Sequence, residues 1–328
     1  MKTYFTHAVR DAIAESMRSD PTIFVFGEDV DKSVLGPTQG LVNEFSTTRI
    51  RNTPISEQAV LGAMIGSSQT GLRPIMDFMF SGFFYVAMDQ IINQAAHTRY
   101  MSGGKVNIPI VIIGGVGPSG QAGSQHSESP HALLMGAAGI KVVAPSTPAD
   151  AKGLMMSAIS DPNPVFFLMD VSLAGVSGEV PDGAHRVPIG VADVKKTGSD
   201  VTVVCMTSTV APTLEAAELL SAEGISLEVI DVRTLSPLDT KTIIKSVEKT
   251  GRIVIAEHGR RICGLAAEVS AFVVEQAWGS LKSPPVRLTW PDVPIPYSPN
   301  LELACLVDTK SIVRGVRESL VSNMSKIN

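Results

Sequence analysis

Thr53-Pro54-Ile55-Ser56-Glu57-Gln58-Ala59 runs into Val60-Leu61-Gly62-Ala63-Met64-Ile65-Gly66 and then, a few residues on, Gly71-Leu72-Arg73-Pro74-Ile75. The opening residues read as a strand-to-helix turn, the middle as a helix built partly of small residues, and the last as the start of a strand. One carboxylate, Glu57, stands at the turn. A glutamate in a first helical turn is favoured by the helix dipole alone. Held in a dry pocket it would also gain proton affinity and could act as a proton donor. Both readings are open on these residues.

The same alternation extends in both directions. Residues 5–18 carry helical spacing through Phe5, Val9, Ile13 and Met17. Thr22–Phe26 is a short apolar run ending in Gly27-Glu28-Asp29, as expected of a buried strand with a functional carboxyl end. Residues 57–70 predict a helix and 74–78 a strand. A periodic helix is expected over 83–99, from Phe84, Ala87, Met88, Ile91, Ile92 and Ala95. Residues 108–113 predict a strand that empties into a Gly-rich loop, 114–123. A helix near 131–137, a strand at 140–143, a helix at 149–160 and a strand at 164–169 follow. Thr147 is the expected N-cap of that helix, with Pro148 at its first position. Strands alternating with helices imply a mostly parallel sheet with helices on both faces. Residues 171–197 are richer in Gly, Pro and Ser, and we place the boundary there, giving domains 1–185 and 186–328. The second repeats the α/β pattern: strands 200–206, 227–232, 252–257 and about 286–288, helices about 210–223, 238–249, 264–278 and 309–322.

The chain has 328 residues, 44% hydrophobic and 18% charged, with a net charge of −5. Two ordinary domains fit that length. The mean hydropathy of +0.21 is high for a lone soluble monomer; buried strands or an extensive subunit interface would account for it. No block of like charge suggests nucleic acid or an anionic membrane. Cys205, Cys263 and Cys305 lie far apart in apolar surroundings and are expected to be buried, inert thiols. Neither a signal peptide nor a bilayer-length apolar run is evident, so a cytoplasmic protein is expected.

Several residues could carry chemistry. Phe78, Phe80, Phe83, Phe84 and Tyr85 cluster in a chain that is only 5% aromatic. Each ring could pack in the core, and one could stack on a planar cofactor. His126 lies in Gly123-Ser124-Gln125-His126-Ser127-Glu128, after a strand and a long loop, where sites of such sheets collect. His131 sits at a helix start, a packing or capping position, and His258 ends a second-domain strand. Gly114-Gly115-Val116-Gly117-Pro118-Ser119-Gly120 is not a dinucleotide fingerprint, because Pro118 interrupts it and no helix follows directly. A single acid such as Glu57 is what thiamine diphosphate requires at its aminopyrimidine ring. Enzymes of that cofactor hold its diphosphate through Mg²⁺ on a Gly-Asp-Gly element, which this chain lacks. It could then grip only the aminopyrimidine end, with another chain supplying diphosphate and metal.

These residues resemble a known family. Gly27-Glu28-Asp29-Val30, Thr53 to Glu57, Gly71 to Ile75, Asp89 to Ala96, Tyr100 to Gly104, Gln125-His126-Ser127, Val142 to Gly153 and Pro291 to Tyr297 are similar, over about 4–320, to the beta subunit of the two-chain, thiamine-diphosphate-dependent first component of 2-oxo acid dehydrogenase complexes. The group includes pyruvate, branched-chain 2-oxo acid and acetoin dehydrogenases. The resemblance implies a transketolase-like pyrimidine-binding domain followed by a transketolase C-terminal-like domain. It implies that Glu57 contacts the aminopyrimidine, Phe83 packs on that ring, His126 serves proton transfer and acylation of lipoyl groups, and Glu28 lies in a polar passage between paired sites. A structural monovalent cation, usually potassium, would be bound by Ile110, Ala158, Ile159, Asp161 and Asn163, mostly through carbonyls. Partners would be an alpha subunit carrying the diphosphate and Mg²⁺, in an alpha–beta heterotetramer, and a lipoyl acyltransferase docked on 309–322 or 291–297.

Departures from the family pattern occur at Gly82, where Asp or Asn is common, and at Gly114, where Arg is common. His97 replaces a usual Lys. His131 replaces an acid or neutral residue, and Gly136-Ala137-Ala138-Gly139 replaces His-x-Pro-Gly. They are expected to cluster around the cleft. The expected function is decarboxylation of a 2-oxo acid, or cleavage of acetoin, with acyl transfer to a lipoyl carrier. Alternatives are a two-chain acyloin synthase of a specialised pathway and a non-catalytic scaffolding paralogue.

Overall fold

The computed structural model describes residues 1–118 and 120–321. Ser119, in the Gly-rich loop, and Ser322, the expected end of the last helix, lie outside the described residues. The chain divides into two compact units, Met1–Ile189 with Leu235–Pro237, and Gly190–Thr234 with the residues from Leu238 onward. The boundary expected from the sequence falls between 185 and 186.

The first unit is built on a seven-stranded sheet in the order Thr234–Ser236, Lys141–Val143, Val165–Asp170, Val111–Val116, Arg73–Phe80, Ile23–Gly27, Ile50–Asn52. The neighbouring pairs from Lys141–Val143 to Ile50–Asn52 are parallel. Strands buried on both faces carry continuous apolar runs, and Val165–Asp170 is buried at every position. On one face the helices Phe5–Ser19 and Pro148–Ser160 pack together, bringing Phe5, Val9, Ile13, Leu154 and Met155 into one core with Val25 and Phe167. Thr147 caps the second helix, its hydroxyl accepting from the Asp150 N–H at 3.1 Å, with Pro148 at the first turn.

The second unit holds a five-stranded sheet: Val286–Trp290, Ile253–Arg260, Val201–Cys205 and Leu227–Asp231 are parallel, and Asp193–Lys196 joins the edge antiparallel. Helix Thr240–Thr250 is bounded by Asp239, which accepts from the Thr242 N–H, and by Gly251 in the left-handed conformation. No described helix is long and apolar enough to cross a membrane.

The structure departs from the sequence expectations in several places. The strand expected at 108–113 runs Val111–Val116, because Pro109 has no N–H for a ladder and the chain turns at Ile108–Ile110. The helix expected over 83–99 is three segments: a 3₁₀ turn Ser81–Ala87, a π-helix Gln90–Ala96 and an α-helix His97–Met101. Its inward stripe survives, with Phe84, Ala87, Ile91 and Ala95 fully buried, so the periodicity registered burial while missing the change of winding. Cys205 and Cys305 are buried as expected, but Cys263 is exposed, held on a turn at φ 58° beyond the sheet.

Candidate active site

Three acids converge at the carboxyl ends of three adjacent strands. Ile23–Gly27 pairs on one side with Ile50–Asn52, Gly27 opposite Asn52, and on the other with Arg73–Phe80, Gly27 opposite Asp77. Glu28 follows Gly27 directly. The Thr53 N–H donates to the Gly27 carbonyl at 3.0 Å, tying the Thr53–Ser56 turn to the same point before helix Glu57–Gln69 begins. Gly27 is required there, because a Cβ would collide with the Asp77 carbonyl. Glu28, Thr53, Glu57, Asp77 and Phe78 line one small cavity.

The environments of these acids differ. Burial raises the Glu28 carboxyl above the ordinary range, with Glu57 and then Asp29 adding to it. That coupling places Glu28 and Glu57 within electrostatic reach of each other. Asp77 is a residue the sequence does not single out. It is almost fully buried, and burial pushes it up to about 6, opposed only by the hydrogen bond it accepts from the Met79 N–H at 2.9 Å. An acid inside an apolar run such as Pro74-Ile75-Met76-Asp77-Phe78 is the available signal. Glu57 itself is only partly buried, in contrast to the dry pocket considered for it from the sequence. Its outer side opens to a groove of about 600 Å³ lined by Ile55, Ser56, Gln58, Gly62, Val86 and Gln90.

Helix Glu57–Gln69 packs on the Ser81–Ala87 turn, which carries the second group. Asp77 holds Met79 at φ 63°, the strand register shifts between Asp77 and Phe80, and the chain enters the turn. Phe80 and Phe83 lie nearly at right angles to the His126 ring, with centroids 4.7 and 5.6 Å away. His126 ends the short turn Ser124–His126 and is half-buried. The aromatic cluster therefore splits. Phe80 and Phe83 go to the histidine, while Phe78, Phe84 and Phe166 stack edge to face in the core at 5.0 and 5.3 Å.

Gly114 belongs to that core rather than to the cleft expected for the departures. It is buried, and a Cβ on it would strike the Phe84 ring. His131 is buried, its Nδ1 3.0 Å from the Ser129 hydroxyl. His258 is a packing residue: Nδ1 lies 2.8 Å from the Ser208 hydroxyl, Nε2 accepts from the Val307 N–H at 3.3 Å, and the ring stacks on Trp290.

The expected cation ligands come together where helix Pro148–Ser160 ends. The Ala158 carbonyl accepts from the Asp161 N–H and the Ile110 carbonyl from the Val165 N–H. Arg73 donates to the Ile159 carbonyl at 2.7 Å and the Asp161 carbonyl at 3.4 Å. Asn163 and Lys141 hold the Asp161 carboxylate. Two of the carbonyls, those of Ile159 and Asp161, thus already face a guanidinium, and the Asp161 carboxylate faces an ammonium.

Residues 2–175 match the family "Transketolase, pyrimidine binding domain" and residues 190–312 match "Transketolase, C-terminal domain". The chain is 41% identical over 327 residues to the beta subunit of acetoin:2,6-dichlorophenolindophenol oxidoreductase of Bacillus subtilis, covering 95% of this chain and 96% of the relative. It is 44% identical over 313 residues to the pyruvate dehydrogenase E1 component subunit beta of Rhizobium meliloti, covering 94% and 68%. It belongs to the transketolase-type beta subunits of pyruvate and acetoin dehydrogenases. A solved structure, a split-gene transketolase described as an inactive beta4 tetramer, superposes with a TM-score of 0.79 at 26% identity, covering 96% of this chain and 97% of that one. Glu28, Glu57, Asp77 and His126 all fall within the stretch matched by the pyrimidine-binding domain.

Proposed function

We propose that this chain is the catalytic beta subunit of a thiamine-diphosphate-dependent dehydrogenase that decarboxylates a 2-oxo acid, or cleaves acetoin, and passes the acyl group to a lipoyl carrier. The observation that carries the reading is the convergence of Glu57 and Glu28 on one cavity at three strand ends. A planar aminopyrimidine wants an acid at its edge and an apolar wall at its face, and Glu57 with Phe83 supplies both kinds of group. When bound, thiamine diphosphate supplies the nucleophilic carbon and the electron sink of the reaction.

The chain's own residues do the rest. Glu57 exchanges a proton with a ring nitrogen of the pyrimidine. Glu28, whose carboxyl holds its proton more tightly than an ordinary glutamate and which lines the same cavity as Glu57, serves in this reading as the group that trades a proton with Glu57. Phe83 orients the ring. His126, walled by Phe80 and Phe83, exchanges a proton with the substrate and acceptor side.

The groove outside Glu57 calls for a cover. On its wall Ile55 is 80% exposed and Val86 56%. Large exposed apolar side chains beside a half-buried acid suit a subunit interface. We assign that cover to an alpha subunit that brings the diphosphate and Mg²⁺ and completes an alpha–beta heterotetramer. A monovalent cation, potassium by preference, would rest on the carbonyls of Ile110, Ala158, Ile159 and Asp161 beside Asn163. A lipoyl acyltransferase would dock on helix Thr309–Leu320 or the 291–297 loop.

The test is reconstitution. Mixed with its alpha partner, the chain should reduce a dye acceptor with 2-oxo acids or acetoin, and should bind the cofactor poorly alone. Glu57→Gln should leave assembly intact and abolish hydrogen–deuterium exchange at the cofactor's reactive carbon. Undiminished exchange in that variant would refute the assignment.

A further inference from the structure

Gly82 sits between the two rings that wall His126, and nothing on the Ser81–Ala87 turn needs flexibility at that point. Its role is close approach. A Cβ built on Gly82 would lie 2.5 Å from the Gln125 carbonyl oxygen and 3.6 Å from the Glu128 Cβ. Real Cβ atoms essentially never come within 3.0 Å of a heavy atom, and here the obstacle is backbone, which cannot rotate aside. The Ser124–His126 turn therefore lies directly on the Gly82 backbone.

A second contact closes the same seam. The Ser81 hydroxyl donates to the Glu128 carbonyl at 3.2 Å. That carbonyl also accepts from the Gly117 N–H at 3.3 Å, which gathers in the far arm of the loop. The histidine loop is thus seated on the aromatic turn at residues 81 and 82 and walled at 80 and 83. The loop contains several positive-φ residues, Gly117, Gly120, Gln121 and Gly123, and its own backbone closes the turn at the histidine, the His126 N–H donating to the Gly123 carbonyl and the Ser127 N–H to the Ser124 carbonyl, both at 3.3 Å.

We propose that Gly82 is a positioning residue for His126: with this chain's own loop sequence, the absence of a side chain lets the histidine loop dock against the 81–83 turn, and a Cβ added at 82 alone displaces the imidazole from its place beside Phe80 and Phe83. This rests on the role given to His126 above. A Cβ at 82 demands a shift of about 0.5 Å or more in the Gln125–His126 backbone. Misplacements on that scale at a reacting group cost on the order of 10- to 100-fold in rate. Glu57 reaches the site from a different element, helix Glu57–Gln69, so the steps that depend on it are affected less than those that depend on His126.

The experiment has two arms. In the first, the full chain is prepared with isotope-labelled histidine, and the His126 ring resonances are assigned with His126→Ala. Gly82→Ala should move those resonances toward the free-imidazole position, because the ring currents of Phe80 and Phe83 are lost. Ser81→Ala, which adds no bulk and removes the other clamp, should move them the same way by less. Unmoved resonances in both variants, with melting as in the wild type, would overturn the proposal, as would a Ser81→Ala shift in the opposite direction. If Gly82→Ala does not fold, Ser81→Ala alone decides it. In the second arm, the alpha–beta complex with Gly82→Ala is assayed for acyl transfer to lipoamide and for exchange at the cofactor's reactive carbon. Transfer should fall at least tenfold and by a larger factor than exchange does; an equal fall in both would overturn the proposal. A moved His126 resonance with undiminished transfer would uphold the positioning and refute the catalytic role of His126.

Discussion

Replacing Asp77 by Asn should make the first unit more stable at neutral pH and leave it unchanged in acid. Asp77 is 7% exposed, and burial lifts its carboxyl from 3.8 to about 6. The folded chain therefore keeps a proton that the unfolded chain releases between about pH 4 and 6. A group raised in the fold contributes stability that is complete below its unfolded value and is lost as pH rises through its folded value. A hundredfold gain in proton affinity is worth about 3 kcal/mol. The amide in Asp77→Asn would keep an oxygen for the Met79 N–H and would not ionise. The variant should match the wild type near pH 4 and exceed it by up to about 3 kcal/mol at pH 7. Urea unfolding at several pH values would measure this. Both tryptophans, Trp278 and Trp290, lie in the second unit, so their fluorescence follows that unit while circular dichroism follows both. A stability difference that stays constant from about pH 4 to about pH 7.5 would refute the assignment of a buried, proton-binding Asp77.

Three further outcomes are expected. Gly114→Ala should overpack the core against Phe84 and cost about 1–3 kcal/mol, with much of the loss recovered by adding Phe84→Leu; equal denaturation midpoints for Gly114→Ala and wild type would contradict the contact. Thr147→Ala removes the cap on Asp150 and should cost about 1 kcal/mol, read as a lowered melting temperature, whereas Thr147→Ser should be close to neutral. If the carbonyls of Ile110, Ala158, Ile159 and Asp161 hold a monovalent cation, potassium should raise the melting temperature over tetramethylammonium at equal ionic strength, and identical curves would remove that site.

Much of the architecture was legible because buried strands announce themselves. Ile23–Gly27, Val165–Asp170 and Val201–Cys205 are apolar runs bounded by turns, and each is a central strand. Thr147-Pro148 marks a helix start for a local chemical reason and does so accurately. The three-residue strands Lys2–Tyr4, Ile50–Asn52 and Ser177–Glu179 escape a sequence reading, since so short a stretch has no period to detect. The segment 81–101 keeps its buried stripe but not its winding, because burial spacing cannot distinguish 3₁₀, α and π turns one after another. Within the site, Glu57 and His126 stand out as polar residues at turns. Asp77 is hidden by the strand around it, and the function of Gly82 depends on a carbonyl more than forty positions away in the chain, which no local reading contains.

The strand Thr234–Ser236 has a practical consequence. It forms the outer rail of the seven-stranded sheet, beside Lys141–Val143, although it arrives long after the rest of that sheet in the chain. Cutting after Ile189 would strip it away and leave the Lys141–Val143 backbone with an open row of donors and acceptors. Such a fragment invites edge-to-edge association, so the amino-terminal half cannot be excised cleanly at the point where the chain crosses from one unit to the next.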